Sequence, residues 1–429
     1  MKKKIIKDWI SNSTLFILNN LFTTALNFSL IFFYARILGD ESFGALTAAQ
    51  TKVLIWIILV DFGLTAGLVN LFHRQAEKRT IGKDALSPEQ LLFKVILLRI
   101  FIAILISGVV FLLAKNEAKN DMALLLENIA YLPYLFGYGI QFTLNSYFLY
   151  KGDIVPSAIA NILGVFLAAA LALCALLTGY GIAFLLFLQS TASLLSAIIL
   201  YGVGINKKYF SLWAGGFSSL KELKLVLLDV WKEVWASALV FAVVTAWTRL
   251  DIIVAAKFLP LSMVGQYSLC AKLVAVPVLL ASSVFLGMFS DFHKKQKENK
   301  IALYSTIRSL SLYLLCIGMP AAFLFLWLLQ MAISFLLPKY VITSEWILYF
   351  SPAVWAYWFY VIFNAAQFGM RRYKAIAWIH GVAFGVYVSV LWFGIKYYAI
   401  VGAVAAYTVF LAVLAIGSAI DFLRATKKA

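Results

Sequence analysis

The feature that most limits the fold of this chain is a series of twelve apolar stretches, each of about twenty residues or more. The hydrocarbon core of a bilayer is about 30 Å thick, so a helix of roughly 20 apolar residues crosses it. We therefore predict an all-α polytopic membrane protein with about 12 transmembrane helices. The predicted spans lie at about 13–34, 44–72, 91–114, 122–149, 154–177, 182–205, 234–256, 265–289, 303–329, 346–368, 376–394 and 399–421.

The composition excludes a soluble protein, because 63% of the residues are hydrophobic and only 13% are charged. The net charge of +17 does not indicate nucleic acid, since the basic residues occur in short clusters between apolar stretches. One set of loops is rich in lysine and arginine, whereas the opposite set is poor in them. The positive-inside rule then predicts a multi-pass membrane protein with both termini in the cytoplasm. We expect this membrane to be the bacterial cytoplasmic membrane.

A repeat of about 221 residues divides the chain into two halves. The segment YARILGDESFGALTAAQTK at 34–52 is matched in pattern by AKFLPLSMVGQYSLCAK at 256–272. We predict two pseudo-symmetric six-helix lobes, residues 1–205 and 234–429, joined by a cytoplasmic interfacial linker helix in 206–233. A solvated linker is the alternative for 206–233. The agreeing positions include Arg36 with Lys257, Leu38 with Leu259, and Gly44 with Gly265.

Six charged residues fall inside the predicted spans. A charge at the bilayer centre costs about 2.5–3.5 kcal/mol on insertion scales, so each needs a partner, a cavity or a function. Four cations against two acids leave an excess of positive charge, which favours an anionic ligand. Interhelical ion pairs or snorkelling side chains are the alternative, and Asp61 and Arg99 lie at depths that allow pairing. The six residues are Lys52, Asp61, Arg99, Arg249, Asp251 and Lys272.

Uncharged polar residues form helical stripes in three of the spans. Aromatic rings beside amide groups suit sugar rings, which present both C–H faces and hydroxyl groups. Three stripes in one chain favour a polar cavity, and hydrogen bonds between packed helices are the alternative. The residues expected to line the cavity are Asn20, Thr24, Asn27, Tyr134, Tyr138, Gln141, Asn145 and Asn364.

No catalytic constellation is apparent in the sequence. The histidines His73 and His293 sit at cytoplasmic helix ends, and His380 stands alone in an apolar helix. No glycine-rich phosphate loop or Cys/His cluster occurs, and the loops predicted outside are short. We therefore expect no enzyme activity, no cofactor and no metal site.

Two motifs carry a resemblance to a known family. The first is ARILGDESFG at 35–44, followed one helix later by DFGL at 61–64. The second is RLDII at 249–253, which leads into KFL at 257–259. Together with the two six-helix lobes, these motifs resemble Wzx-type flippases, the polysaccharide-transport branch of the multidrug/oligosaccharidyl-lipid/polysaccharide exporter superfamily. The order Arg249-x-Asp251 departs from the Asp-Arg order frequent in that family.

The resemblance implies two lobes around a central cationic cavity. It implies a substrate of undecaprenyl diphosphate carrying an oligosaccharide repeat unit, moved from the inner to the outer leaflet by alternating access for O-antigen or capsule synthesis. Expected partners are this lipid-linked oligosaccharide, membrane lipids and polysaccharide polymerase machinery, with no oligomer required. We expect the diphosphate to contact Arg249, Lys272, Lys52 and Arg99. The two acids, Asp251 and Asp61, are the candidates for ion coupling.

Three alternatives remain at the level of sequence. A drug/cation antiporter belongs to the same superfamily, and the major facilitator fold also has six plus six helices. In that fold the loop after the second helix usually carries a Gly-x-x-x-Asp-Arg/Lys motif, which HRQAEKRTIGKD at 73–84 lacks. A membrane polymerase or ligase of lipid-linked sugars would share the substrate but usually has a large external loop.

Overall fold

The computed structural model describes residues 2–80, 86–153, 155–210, 220–278, 300–370 and 372–427, and every regular element in these ranges is a helix. Side chains are described from residue 22 onwards, apart from 220–234, 300–303, 341–342 and a few isolated positions. The helices are α1 Lys2–Leu54, α2 Ile57–Asp61, α3 Leu64–Thr80, α4 Pro88–Ala118, α5 Met122–Ile129, α6 Pro133–Tyr150, α7 Val155–Leu177, α8 Ile182–Asn206, α9 Leu220–Phe258, α10 Leu261–Val278, α11 Lys300–Tyr313, α12 Met319–Leu336, α13 Val341–Trp346, α14 Ser351–Gly369 and α15 Tyr373–Lys427.

Nine helical stretches of the described part are long and apolar enough to cross a membrane. Two of them, Phe22–Asp61 and Tyr373–Thr426, each contain a turn at a residue with positive φ, Gly39 (74°) and Ala399 (50°). Each turn divides its stretch into two crossing helices. The helices α5 and α6 form one further crossing, interrupted just before Pro133. The described helices therefore account for the predicted twelve spans, and the prediction of an all-α polytopic membrane protein is confirmed.

By their internal contacts the residues fall into two compact units. The first unit comprises Met1–Leu30 and Ala49–Ala242, and the second comprises Ile31–Ala48 and Val243–Ala429. The turn at Gly39 and the helix on either side of it thus pack with the second half of the chain, although the prediction assigned them to the first lobe.

The linker between the halves also differs from its predicted form. Helix α9 is continuous from Leu220 to Phe258, so the linker helix and the seventh span are one helix. Residues 211–219, which contain the start of the predicted linker helix, lie outside the described residues.

The 221-residue repeat is visible as a direct contact within the second unit. Gly44 of α1 crosses Gly265 of α10 so closely that a Cβ on either glycine would lie 1.9 Å from a backbone carbonyl oxygen of the other helix. One turn further along, the hydroxyls of Thr47 and Ser268 form a hydrogen bond of 3.1 Å. Because each residue contacts the one that the repeat makes its equivalent, the crossing is isologous, like the contact of a symmetric dimer.

In the first unit, α4 begins with a capping box that sets its register. The Ser87 side chain accepts from the Gln90 backbone N–H (3.1 Å), and the Gln90 side chain accepts from the Ser87 backbone N–H (3.0 Å). The start of α4 packs with α3, α6 and α8 in an apolar cluster that includes Leu91, Leu144 and Leu200, all fully buried. Three turns beyond the cap, α4 carries Arg99 into the interior of the unit.

Candidate functional site

The intramembrane charges of the first unit are paired. Arg99 and Asp61 are buried, and the Arg99 Nη2–Asp61 Oδ1 distance is 2.6 Å. Arg99 also donates to the Thr143 hydroxyl (2.9 Å), the Gly139 carbonyl (3.2 Å) and the Thr65 hydroxyl (3.0 Å). The predicted pairing of Asp61 with Arg99 is confirmed.

This network changes the role expected for Arg99. We predicted a contact between Arg99 and the diphosphate, but the side chain is 0% exposed and its two terminal nitrogens already donate to protein acceptors. A substrate cannot reach the guanidinium in this arrangement, so Arg99 is a structural residue here. For the same reason Asp61, whose carboxylate is buried against Arg99, is a poor candidate for ion coupling.

Lys52 is partnered too, near the opposite end of the first unit. Its Nζ lies 2.5 Å from a carboxylate oxygen of Glu117 and donates to the side-chain carbonyl of Asn128 at 3.2 Å. The side chains of Lys52 and Glu117 are 31% and 51% exposed. A pair as exposed as this contributes about 0–1 kcal/mol, so Lys52 can exchange Glu117 for another anion at little cost.

The two cations of the second unit present a different situation. Arg249 on α9 and Lys272 on α10 are partly buried and close enough to interact electrostatically with each other. Within the described residues neither forms an ion pair, and the Nε of Arg249 is buried without a hydrogen-bond partner. Lys272 places its ammonium 5.1 Å from the centre of the Phe43 ring. The ion pairs in the described part are Lys52–Glu117, Arg99–Asp61, Lys151–Glu89, Lys207–Asp153 and Arg372–Asp421.

Asp251 does not neutralise these cations, although it is on the same helix as Arg249. Its side chain is 2% exposed, and it accepts hydrogen bonds from the Tyr267 hydroxyl (2.7 Å) and the Ile252 backbone N–H (2.8 Å). Residues two apart on a helix point about 200° from each other, which explains why Arg249 and Asp251 form no ion pair. The arrangement leaves Arg249 and Lys272 close enough to repel each other, with no acidic partner among the described residues.

The polar stripes occupy two kinds of environment. Tyr134 is partly buried and stacks on Tyr131 with ring centres 5.0 Å apart, whereas Tyr138 is 7% exposed and stacks on Phe142 at 4.2 Å. Gln141 donates to the side chain of Asn161 (2.8 Å). The bond from Gln141 to Asn161 joins α6 to α7, as the alternative of hydrogen bonding between packed helices expects, whereas the two ring contacts are between neighbours along the chain.

Other predicted lining residues are less engaged. Thr24 is partly buried and Asn27 is exposed, while the side chain of Asn20 lies outside the described residues. Asn145 in the first unit and Asn364 in the second each bury a side-chain oxygen that has no hydrogen-bond partner.

Several polar contacts were not found from the sequence. Gln50 donates to Gln189 across 139 residues at 2.6 Å, and the spacing of the two gives no hint of it. His380 does not stand alone, because its Nε2 lies 2.9 Å from the Tyr360 hydroxyl and its Nδ1 lies 2.8 Å from the Ile376 carbonyl oxygen. The aromatic stripe of the tenth span was the available signal for this pair.

Outside the spans, a small network joins the loops at the end of the first unit that is predicted to be cytoplasmic. Asp153 accepts from Lys207 (2.6 Å) and from the Tyr209 hydroxyl (2.7 Å). Burial raises the pKa of Asp153, but these hydrogen bonds outweigh burial and hold the pKa below its usual value. The same contact raises the pKa of Lys207.

A twelve-span helical fold, and two cations in a membrane-spanning unit that form no ion pair among the described residues, are consistent with a membrane transport protein. Residues 7–293, about two thirds of the chain, match the family described as "Polysaccharide biosynthesis protein". The chain belongs to that family, and the resemblance seen in the sequence is confirmed. No curated protein matches the chain.

Solved structures share the fold at low sequence identity. A multidrug resistance MATE family transporter of the MOP superfamily, in an inward-facing conformation, matches with a TM-score of 0.72 and 14% identity over 93% of this chain and 95% of that chain. A point mutant of the Vibrio cholerae MATE transporter VcmN matches with a TM-score of 0.67 and 13% identity over 100% and 98%. The lipid II flippase MurJ, in an inward closed conformation, matches with a TM-score of 0.67 and 13% identity over 96% and 90%. The chain therefore has the same fold as these transporters, and this fold replaces the major facilitator alternative.

Proposed function

We propose that this protein is a flippase for lipid-linked saccharides. Its substrate would be an undecaprenyl-diphosphate-linked oligosaccharide repeat unit, moved from the inner to the outer leaflet of the cytoplasmic membrane for surface polysaccharide synthesis. The observation that carries the proposal is the pair Arg249 and Lys272, two neighbouring cations with no acidic partner among the described residues. The polysaccharide biosynthesis family and the fold shared with a lipid II flippase support it.

The physical task explains why such a pair is useful. Moving phosphate charges through hydrocarbon without compensation would cost on the order of tens of kcal/mol. Two cations held within the membrane-spanning part offset most of this cost while the lipid tail stays in the bilayer. A lysine and a single arginine provide point charges rather than a dense bidentate cluster, so the diphosphate can also leave.

The second candidate is a drug/cation antiporter, which the similarity to multidrug transporters favours. Charge distinguishes the two functions. A cationic drug would meet Arg249 and Lys272 as like charges, and the acid nearest in sequence, Asp251, is already engaged by Tyr267. Removal of the two cations should therefore impair a flippase but assist an exporter of cations.

The test is flipping of a fluorescent lipid-diphosphate oligosaccharide in proteoliposomes, read by chemical quenching of the label on the outer surface. A charge-assisted hydrogen bond contributes about 1.5–3 kcal/mol, so loss of both should slow flipping at least about 100-fold. The variant combines Arg249→Gln with Lys272→Gln. The matched control combines Lys115→Gln with Lys119→Gln, two exposed lysines at the end of α4, and should flip at the parental rate.

Normal flipping by the Arg249/Lys272 variant would refute the proposal. Loss of lipid flipping in the variant, with no efflux of a cationic dye by either the parent or the variant, would support it against the antiporter. Efflux of a cationic dye by the parent, at a rate that added lipid-linked substrate does not change, would favour the drug/cation antiporter.

A further inference from the structure

A cluster of cations and aromatic rings lies at one end of the second unit, the end that the loop charges predict to be outside. Lys257, at the end of α9, places its ammonium 5.1 Å from the centre of the Trp392 ring and 5.9 Å from that of Phe258. The two rings meet edge to face at 5.2 Å. Lys396 lies one helical turn after Trp392, with its ammonium 5.5 Å from the Tyr397 ring. These five residues form what we call the rim cluster.

The rim cluster carries two positive charges that nothing nearby compensates. Lys257 and Lys396 are exposed, and neither takes part in any of the ion pairs of the described residues. The segments that carry them, 252–265 and 385–405, contain no aspartate or glutamate. Lys257 contacts Trp392, which lies four residues before Lys396 on α15. Lys257 and Lys396 are therefore beside the same face of α15, within about 6 Å along the axis of that helix.

An apolar groove adjoins the rim cluster. Its volume is about 460 Å³, within the usual range of ligand pockets. The groove lies between the two arms of α15, with Phe393 and Tyr397 on one arm and Val401 and Ala405 on the other. Tyr397 belongs both to the groove and to the rim cluster, so the charged and apolar parts form one continuous surface. At the base of the groove the arms approach so closely that a Cβ at Gly402 would lie 2.0 Å from the backbone of the opposite arm.

The fold itself does not require this combination. The positions that the 221-residue repeat makes equivalent to Trp392 and Lys396 are Leu171 and Ala175, and neither carries a charge or an aromatic ring. The corresponding hairpin of the first half therefore forms without such a cluster. Lys257 has a basic equivalent in Arg36, so Trp392 and Lys396 are what distinguishes the second half, and they place a charge and an aromatic ring beside a concave apolar surface of the kind that binds ligands.

We propose that the rim cluster and the groove bind one anionic phospholipid of the surrounding leaflet. The lipid phosphate lies between Lys257 and Lys396, and one hydrocarbon chain lies in the groove between the arms of α15. The amphipathic rings of Trp392 and Tyr397 lie at the level of the headgroups, where such residues are common. This lipid site is distinct from Arg249 and Lys272 and does not depend on the substrate proposed for them.

The test is native mass spectrometry of the full chain purified in detergent, with phosphatidylglycerol added and phosphatidylcholine as the zwitterionic comparison. Each lysine near a lipid phosphate contributes attraction, so Lys257→Gln with Lys396→Gln should lower phosphatidylglycerol retention at least about tenfold. Phosphatidylcholine retention should hardly change. The charge-matched control, Lys115→Gln with Lys119→Gln, removes two exposed lysines of the first unit and should retain the lipid like the parent.

A second arm separates a lipid from a free phosphate compound. Ala405→Phe fills the groove from an exposed position and should lower phosphatidylglycerol retention although both lysines remain. Glycerophosphoglycerol, the headgroup without chains, should not compete. Equal retention by the Lys257/Lys396 variant and its control would overturn the proposal, and so would full competition by the free headgroup.

Discussion

Removal of one partner from the buried pair Asp61–Arg99 should destabilise the first unit strongly. The pair is inaccessible, and its remaining polar contacts are all to protein groups, among them Thr143 and Gly139. An uncompensated buried charge costs about 3–5 kcal/mol. We expect Asp61→Asn to lie at the upper end, because a guanidinium stays charged. Arg99→Met should cost less, because a carboxylate can be neutralised by a proton.

The double variant, Asp61→Leu with Arg99→Met, should be more stable than the sum of its parts. Removing both charges together removes the desolvation penalty of each, and replacement of a buried pair by apolar residues is often neutral. The Thr143 hydroxyl keeps its bond to the Gly139 carbonyl (2.7 Å), so few new unsatisfied groups arise. We expect a coupling energy of about 2–3 kcal/mol between the two positions.

The assay is equilibrium unfolding in mixed micelles with increasing denaturing detergent, for the parent, both single variants and the double. Glu117→Gln, which breaks the exposed Lys52 pair, is the control and should cost less than about 1 kcal/mol. The reasoning fails if both single variants of the Asp61–Arg99 pair stay within about 1 kcal/mol of the parent. It fails in a second way if the double variant is stable and membrane-inserted but no longer supports flipping, since Arg99 would then act on the substrate.

Three further predictions concern other parts of the chain. Gly44→Ala should lower the free energy of unfolding by about 3 kcal/mol or more, because the added Cβ would overlap a backbone carbonyl oxygen. The control is Gly108→Ala, where the added Cβ meets open space; it should not lower the unfolding midpoint in the same assay. Asp153→Asn should lower the thermal midpoint at about pH 7, and this effect should diminish as the pH falls below the ordinary aspartate pKa. The bond to Lys207 keeps the Asp153 pKa low, and its stabilisation disappears as the carboxylate protonates; an effect that does not diminish with falling pH would contradict this. Asp251→Asn should abolish the response of flipping to an imposed proton gradient in proteoliposomes while downhill flipping continues, and a full response in this variant would make Asp251 structural.

The sequence predicts the repeat and the pairing of charges better than the role of any single residue. An offset of 221 residues, read from glycine and basic positions, corresponds to a real contact between Thr47 and Ser268. The pairing of Asp61 with Arg99 followed from their depths. Depth alone could not show that Arg99 is closed off from substrate, because that depends on Thr143 and Gly139 of another helix.

Contacts between distant helices set the remaining limit on prediction. The bond between Gln50 and Gln189 depends on which face of α8 turns towards α1, and helical periodicity in two predominantly apolar spans does not define that face. Likewise, the break between the spans 13–34 and 44–72 was predicted, but the packing of the turn at Gly39 with the second half of the chain was not. The helices and the breaks between them follow from local sequence, whereas the hydrogen bonds between polar side chains depend on tertiary packing.

If Lys272 binds the diphosphate as we propose, its contact with Phe43 bears on how the site can both bind and release this group. With no acidic partner among the described residues, its ammonium faces the ring of Phe43 at 5.1 Å. A cation–π contact contributes about 0.5–2 kcal/mol, less than a charge-assisted hydrogen bond to phosphate at about 1.5–3 kcal/mol. The arriving phosphate can therefore displace the ring, and the ring recovers the ammonium when the phosphate departs. A carboxylate in the place of Phe43 would compete too strongly with the substrate, whereas an aliphatic residue would leave the buried cation uncompensated. An aromatic partner of intermediate strength fits a site that must bind an anion only transiently.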